Sequence, residues 1–158
     1  MELINFARLV GILNRQSQDY MTIAYKSIGI SFSECIFLLN LYGNEGINQE
    51  KLSSMLLIDK AATARSIKSL EKKGFLMRKI SKEDKRAKKL YLTGKGKDCK
   101  EQIFSSLRKW IDFLTEGMDK ETKNIVFKGL QSMAGRAGNA VFNELLEDKI
   151  DDSNKDKQ

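Results

Sequence analysis

INQEKLSSMLLIDKAATARSIKSLEKKG, residues 47–74, decides how this chain is organised. Asn48 has the side chain of a helix N-cap, and Leu52, Met55 and Leu56 follow on the inward face of a short helix. Asp59 supplies a second cap. Behind it Thr63, Ile67 and Leu70 fall on one side of a second helix, which Gly74 stops. Only a few residues separate the two helices, so they must cross steeply, and that arrangement is a helix-turn-helix.

The flanks extend the pattern. FLMRKI (75–80) and KKLYLT (88–93) read as strands, the second with clean period-two alternation, and a highly charged loop joins them. A hairpin directly after a helix-turn-helix is a wing. Upstream, residues 3–28 place Phe6, Leu9, Val10, Leu13, Tyr20, Ile23, Ala24 and Ile28 at three- and four-residue steps, which predicts a long amphipathic helix. Ser31 and Glu34 form a capping box that opens SECIFLLNLYG, a helix apolar nearly all round and therefore buried. Downstream, Thr93 caps a long helix over 95–116 with Ile103, Leu107, Trp110 and Leu114 at heptad-like spacing. Asp119 caps a last helix over 120–147 that carries Val126, Leu130, Met133 and Val141, and whose many glycines weaken it.

The fold class is thus mainly α with a small β hairpin: a winged helix-turn-helix core flanked by long N- and C-terminal dimerisation helices. Residues 1–30 form the N-terminal dimerisation helix, 31–94 the winged helix-turn-helix region, 95–147 the C-terminal dimerisation helices, and 148–158 a disordered tail. The end helices carry more apolar surface than a small central domain can cover, which predicts pairing between two subunits.

Charge points to the partner. The chain has 28 Lys/Arg against 21 Asp/Glu, a net charge of +7, but residues 60–100 alone hold fifteen against four. A basic block set in a mildly acidic remainder is the electrostatic footprint of a polyanion-binding module. The chain has no histidine, and with it no common general base or metal ligand. No carboxylate cluster, phosphate loop or nucleophile–base pair is legible, so an enzyme such as a small nuclease is set aside, and no metal or cofactor is expected. Cys35 and Cys99 have no ligand-like spacing and suit a reduced setting. With no signal peptide and no membrane-spanning apolar run, the expected location is the cytoplasm.

If Thr63, Ile67 and Leu70 face inward, the opposite face of their helix presents Lys60, Ala61, Ala64, Arg65 and Lys68. Arg65 suits a bidentate contact to guanine, and the two alanines allow close approach to a thymine methyl. Lys60 and Lys68 suit phosphates, and Thr63, although more naturally core, sits near enough to the helix start to be a candidate phosphate contact. In the wing, Arg86 suits a narrow A·T-rich minor groove, Asp84 holds it extended, and Lys82, Lys85, Lys88 and Lys89 line the neighbouring phosphates.

These residues carry a resemblance. Arg65, the run Leu70-Glu71-Lys72-Lys73-Gly74, the wing's Asp84-Lys85-Arg86 and then Leu92-Thr93-Gly94-Lys95-Gly96 resemble the DNA-binding core of the MarR family of bacterial transcription regulators. The similarity implies a homodimer whose first and last helices interlock. It also implies Arg65 in the major groove, Arg86 in the minor groove and Asp84 orienting Arg86. The chain departs from the family pattern at Ala62 and Ala64, where Ser or Thr is frequent, and at Gly94, where Glu is frequent.

The same resemblance implies a small aromatic effector that wedges beside the DNA-binding lobe, for which Tyr20, Tyr25, Phe37, Tyr42 and Trp110 are the candidate lining; the bland reading of these five is core packing. Cys35 and Cys99 read as structural. The function expected is therefore a sequence-specific double-stranded-DNA-binding regulator, a ligand-responsive repressor on a palindromic operator. The alternative is an architectural winged-helix protein that binds nucleic acid without sequence preference.

Overall fold

The computed structural model describes residues 3–80 and 87–147. In chain order its elements are α1 (Leu3–Ala24), α2 (Phe32–Leu41), α3 (Gln49–Leu56), α4 (Lys60–Lys72), β1 (Leu76–Ile80), β2 (Lys88–Leu92), α5 (Gly94–Asp98), α6 (Lys100–Leu114), α7 (Lys120–Gly138) and α8 (Phe142–Glu147). The described residues up to Leu114 form one compact unit, and those from Thr115 onward form a second.

Five helices start where a side chain can satisfy orphan amides of the first turn. Ser31 Oγ accepts from the Glu34 N–H at 3.2 Å while the Ser31 N–H donates to Glu34 Oε2 at 2.7 Å, closing the capping box of α2. Asn48 Oδ1 accepts from the Lys51 N–H at 2.7 Å to start α3, and Asp59 Oδ1 from the Ala62 N–H at 2.8 Å to start α4. Thr93 and Asp119 do the same for α5 and α7.

The core of the first unit is one apolar cluster. Leu38 and Leu41 of α2, Leu52 of α3, Ile67 and Leu70 of α4, Leu76 of β1, Leu90 of β2 and Ile103 of α6 are all fully buried, together with Tyr25, Phe37 and Phe75. Five side chains from α3, α4 and the hairpin thus share a core with residues from α2 and α6. That common burial fixes the angle between the two short helices and the hairpin. β1 and β2 pair antiparallel, with Leu76 opposite Leu92, Arg78 opposite Leu90 and Ile80 opposite Lys88. The α2–α3 loop adds a partial third strand: the Gly46 N–H donates to Leu90 O and the Leu90 N–H to Ile47 O, both at 2.8 Å. Glu45 braces the same edge by accepting from the Leu92 N–H at 2.8 Å.

The structure departs from the sequence expectations in four places. The first helix ends at Ala24, short of residue 28, and the chain turns through Gly29 at φ +79°. In α3 the inward position expected for Met55 belongs to Ser53, whose buried hydroxyl donates to Ile58 O at 2.6 Å and stitches the turn between the helices, while Met55 is exposed. The helix expected over 95–116 is two helices, broken at Cys99. The Gly96 carbonyl at this break accepts from the Tyr42 hydroxyl at 2.8 Å and the Cys99 thiol at 3.2 Å, and two glycines in five residues leave α5 a weak hold on regular helix. The helix expected over 120–147 ends at Gly138, where the Asn139 N–H bonds back to Ala137 O and Arg136 O, and α8 follows after a short turn. The tail 148–158, expected to be disordered, lies outside the described residues.

Candidate nucleic-acid interface

The turn between α3 and α4 sets the site. Leu57 caps α3 in the left-handed region (φ 54°, ψ 36°), reversing the chain within three residues so that α4 starts at Lys60. Thr63, Ile67 and Leu70 of α4 are buried. On the other side Lys60, Ala61, Arg65 and Lys68 are exposed and Ala64 is half-buried. Among the described residues no carboxylate pairs with Arg65. Lys60 does have a partner, Glu50 Oε1 at 2.6 Å, and each group stabilises the other's charge, raising the lysine pKa and lowering the carboxyl's.

Thr63 is the exception among the six α4 candidates. Its side chain is fully buried and its hydroxyl has no hydrogen-bond partner among the described residues. It faces the core with Ile67 and cannot touch a ligand from there, so it leaves the candidate surface.

Of the wing candidates, Lys88 is exposed at the start of β2, and Lys89 is half-buried next to its bridge with Asn48. Lys82, Asp84, Lys85 and Arg86, and with them the expected Asp84–Arg86 pair, lie outside the described residues. The motif that follows the hairpin has a structural meaning. Thr93 Oγ1 donates to Gly74 O at 2.6 Å while accepting from the Gly96 N–H, so one hydroxyl ties the end of α4 to the start of α5. Gly96 packs so close to Phe75 O that any side chain there would collide with it.

Two ion pairs that the sequence reading missed anchor the end of α4. Lys73 Nζ lies 2.7 Å from Glu34 Oε2, linking α4 to the buried start of α2. Burial pushes the Glu34 carboxyl up, but hydrogen bonds from Lys73, Ser69 and the Ser31 N–H outweigh it and hold the group below the ordinary carboxylate value. Glu71 Oε2 lies 3.2 Å from Arg78 Nε; the Nε–H does not point at that oxygen, so the contact is an ion pair without a hydrogen bond. Lys73 and Glu34 lie 39 residues apart along the chain, and Glu71 and Arg78 sit in different elements, so no helical or strand spacing announces either pair.

The five candidate effector residues are packed side chains. Tyr25 and Phe37 are fully buried, the Tyr25 hydroxyl reaching Ile103 O at 3.4 Å. Tyr20 stacks on Trp110 with ring centres 4.8 Å apart and donates to Ser106 O, while Trp110 Nε1 donates to Ser17 Oγ at 2.9 Å. Tyr42 meets Phe104 edge-on. Burial raises the Cys35 thiol to about 11, so it stays protonated and unreactive at neutral pH.

Two short helices joined by a three-residue turn, the second showing a cationic face outward and backed by an antiparallel hairpin, define a winged helix-turn-helix of the DNA-binding class. Comparison with known proteins narrows the class. The MarR family profile matches residues 30–88. The chain is 32% identical over 123 residues to the uncharacterized HTH-type transcriptional regulator YybA of Bacillus subtilis, covering 75% of this chain and 79% of that protein. Among solved structures, a MarR protein from Peptoclostridium difficile superposes with a TM-score of 0.80 at 33% identity, covering 85% of this chain and 88% of that one. A MarR family regulator from Listeria monocytogenes, solved in complex with a 26mer DNA, gives 0.80 at 27% identity over 84% and 89%. The chain belongs to the MarR family, and it is a helix-turn-helix transcriptional regulator.

Proposed function

We propose that this regulator is a homodimeric repressor that reads a palindromic operator in double-stranded DNA and lets go when a small aromatic molecule binds. The observation that carries the reading is the two-sided α4: an apolar face held in the core and, opposite it, Arg65 exposed among Lys60, Ala61, Ala64 and Lys68. Arg65 specifies by hydrogen bonding to a base edge, while Lys60 and Lys68 neutralise phosphates and supply affinity without sequence information. Arg86, oriented by Asp84, reads the adjacent minor groove, flanked by Lys82, Lys85, Lys88 and Lys89 on phosphates. The relative solved with a 26mer DNA supports this use of the fold.

Two apolar stripes support the dimer. α1 exposes Leu3, Ile4, Phe6, Leu9, Val10 and Leu13, and α7 has no buried residue while exposing Ile125, Val126, Phe127, Leu130 and Met133. Helices of this length with apolar faces in water are unstable alone, and a second copy is the partner that the family resemblance implies. A two-fold protein imposes a two-fold site, with half-sites about one helical turn apart. The effector acts at the half-buried Tyr20–Trp110 stack rather than at Tyr25 or Phe37, which have no exposed surface to offer it. The work is done in the cytoplasm, and among the described residues no helix is long and apolar enough to cross a membrane.

Selection of random duplex DNA by the purified protein at near-physiological salt tests the reading. Enrichment of an inverted repeat supports it. Retention of DNA with no enriched motif would replace it with an architectural, sequence-indifferent role. Trp110 is the chain's one tryptophan, so its fluorescence reports directly on an aromatic ligand entering the stack.

A further inference from the structure

Glu34 is the one buried carboxylate among the described residues, and the reading of DNA gives it no task. It stands at the start of α2, where its Oε2 accepts from the Ser31 N–H and from Lys73 Nζ, both at 2.7 Å. Ser69 supplies a further hydrogen bond, so two residues at the far end of α4 converge on one carboxylate. Other polar ties of α4 run to parts that accompany it onto DNA. Ser53 of α3 holds Ile58 O just ahead of α4, and the exposed Lys60–Glu50 pair joins the two helices. Thr93 Oγ1 donates to Gly74 O, Lys95 Nζ donates to Lys73 O at 2.9 Å, and Arg78 lies against Glu71. These tie α4 to α3, the hairpin and α5. Glu34 instead belongs to α2, which lies outside the helix pair and the wing and packs on α1.

We propose that Glu34 and Lys73 are positioning residues whose pair fixes the direction of α4 relative to α1 and α2, and so the separation of the two recognition helices in the dimer. The inference rests on the proposed function and adds to it a determinant of half-site spacing, as distinct from base preference. The apolar stripe of Thr63, Ile67 and Leu70 sets how deeply α4 sits, but apolar burial is non-directional and permits small rotations. A charge-assisted hydrogen bond at one end of the helix is directional and resists them. Leverage makes the resistance matter. Arg65 lies about 12 Å along the axis from Lys73, so a swing of roughly 10° about that end moves it by about 2 Å. The same swing in both subunits changes their separation by about 4 Å, comparable with the roughly 3.4 Å rise of one base pair.

The test uses the full-length protein and its selected inverted repeat, with single base pairs inserted or removed between the half-sites. Wild type should bind one spacing best. Glu34→Gln keeps an acceptor for the Ser31 N–H but loses the charge, and Lys73→Met keeps the aliphatic stem but loses the ammonium. Each should bind the neighbouring spacings about fivefold better relative to the best one, the fold-change that one hydrogen bond of ordinary net strength supplies. The ranking of base substitutions inside a half-site should stay as in wild type. Lys73→Arg retains the charge and should restore the wild-type spacing profile. Ile103→Val, a core change that lowers stability without touching the pair, should also keep that profile. Wild-type spacing profiles in Glu34→Gln and Lys73→Met would overturn the positioning role and leave the proposed function standing. Equal loss of spacing preference in Ile103→Val would overturn it as well, by tracing the effect to lost stability. If wild type enriches no inverted repeat, the proposed function itself falls, and the spacing role with it.

Discussion

Gly96→Ala is the substitution whose cost can be worked most directly from the structure. A Cβ built on Gly96 lies 2.1 Å from Phe75 O, 3.1 Å from Phe75 C and 3.3 Å from Leu92 Cδ2. A carbon approaches a carbonyl oxygen comfortably no closer than about 3.3 Å, so α5 and the Phe75 carbonyl must separate by roughly 1 Å. Neither side yields easily. Phe75 is fully buried, its N–H is bonded to Leu70 O, and its carbonyl accepts from the Thr93 N–H at 3.1 Å. Overpacking costs about 1–3 kcal/mol, the strained hydrogen bond about 1 kcal/mol more, and the better helix propensity of alanine returns about 1 kcal/mol. The net loss is about 1–3 kcal/mol, which lowers Tm by roughly 2–12 °C for a chain of this size. Gly94→Ala is the control, because nothing lies within 4 Å of a Cβ there, and it should be neutral or slightly stabilising. Both are measured by thermal and urea unfolding at one fixed protein concentration, since the proposed dimer makes Tm concentration-dependent. Equal stability of the two variants would refute the close-approach argument for the Leu-Thr-x-x-Gly motif.

Three further outcomes are expected. Leu57→Gly should stabilise the fold by roughly 0.5–1 kcal/mol, because the side chain is exposed and the left-handed backbone penalises leucine; a drop in the urea midpoint would contradict this. Thr63→Val should raise stability by about 1 kcal/mol by removing a buried, unpartnered hydroxyl, and should leave DNA affinity unchanged; weaker DNA binding at intact stability would return Thr63 to the reading surface. Glu34 has a folded-state pKa below its unfolded value, so its contribution is complete above the ordinary carboxylate pKa and is lost as pH falls through the lower, folded one. Glu34→Gln should therefore unfold more readily at pH 7 and lose less stability than the parent chain as pH falls below the ordinary carboxylate value, where parallel pH curves would remove Glu34 from the acid limb.

Much of the fold was legible because its punctuation is local. Ser31 with Glu34, Asn48, Asp59, Thr93 and Asp119 each announce a helix within four residues, and the structure places a cap at every one. The buried stripe Thr63, Ile67, Leu70 follows from helical spacing alone, and with it the outward face that carries Arg65. What escaped depends on contacts between distant segments. The break at Cys99 coincides with a hydrogen bond from Tyr42, 54 residues away from Gly96 in the chain, and Lys73 finds Glu34 across 39 residues. Met55 and Ser53 exchanged places because a hydroxyl that bonds Ile58 O can occupy an inward position as well as a hydrophobe can.

The central claim is that α4 reads bases through Arg65, and the most direct measurement compares wild type with Arg65→Ala on a panel of single-base operator variants at one salt concentration. Loss of preference at one position per half-site, with about 1–3 kcal/mol lost on the best operator and thermal stability unchanged, is the result expected of a base-reading arginine. A uniform loss across every variant in the panel, or no loss at all, would contradict the claim and leave Arg65 as a phosphate contact or a bystander.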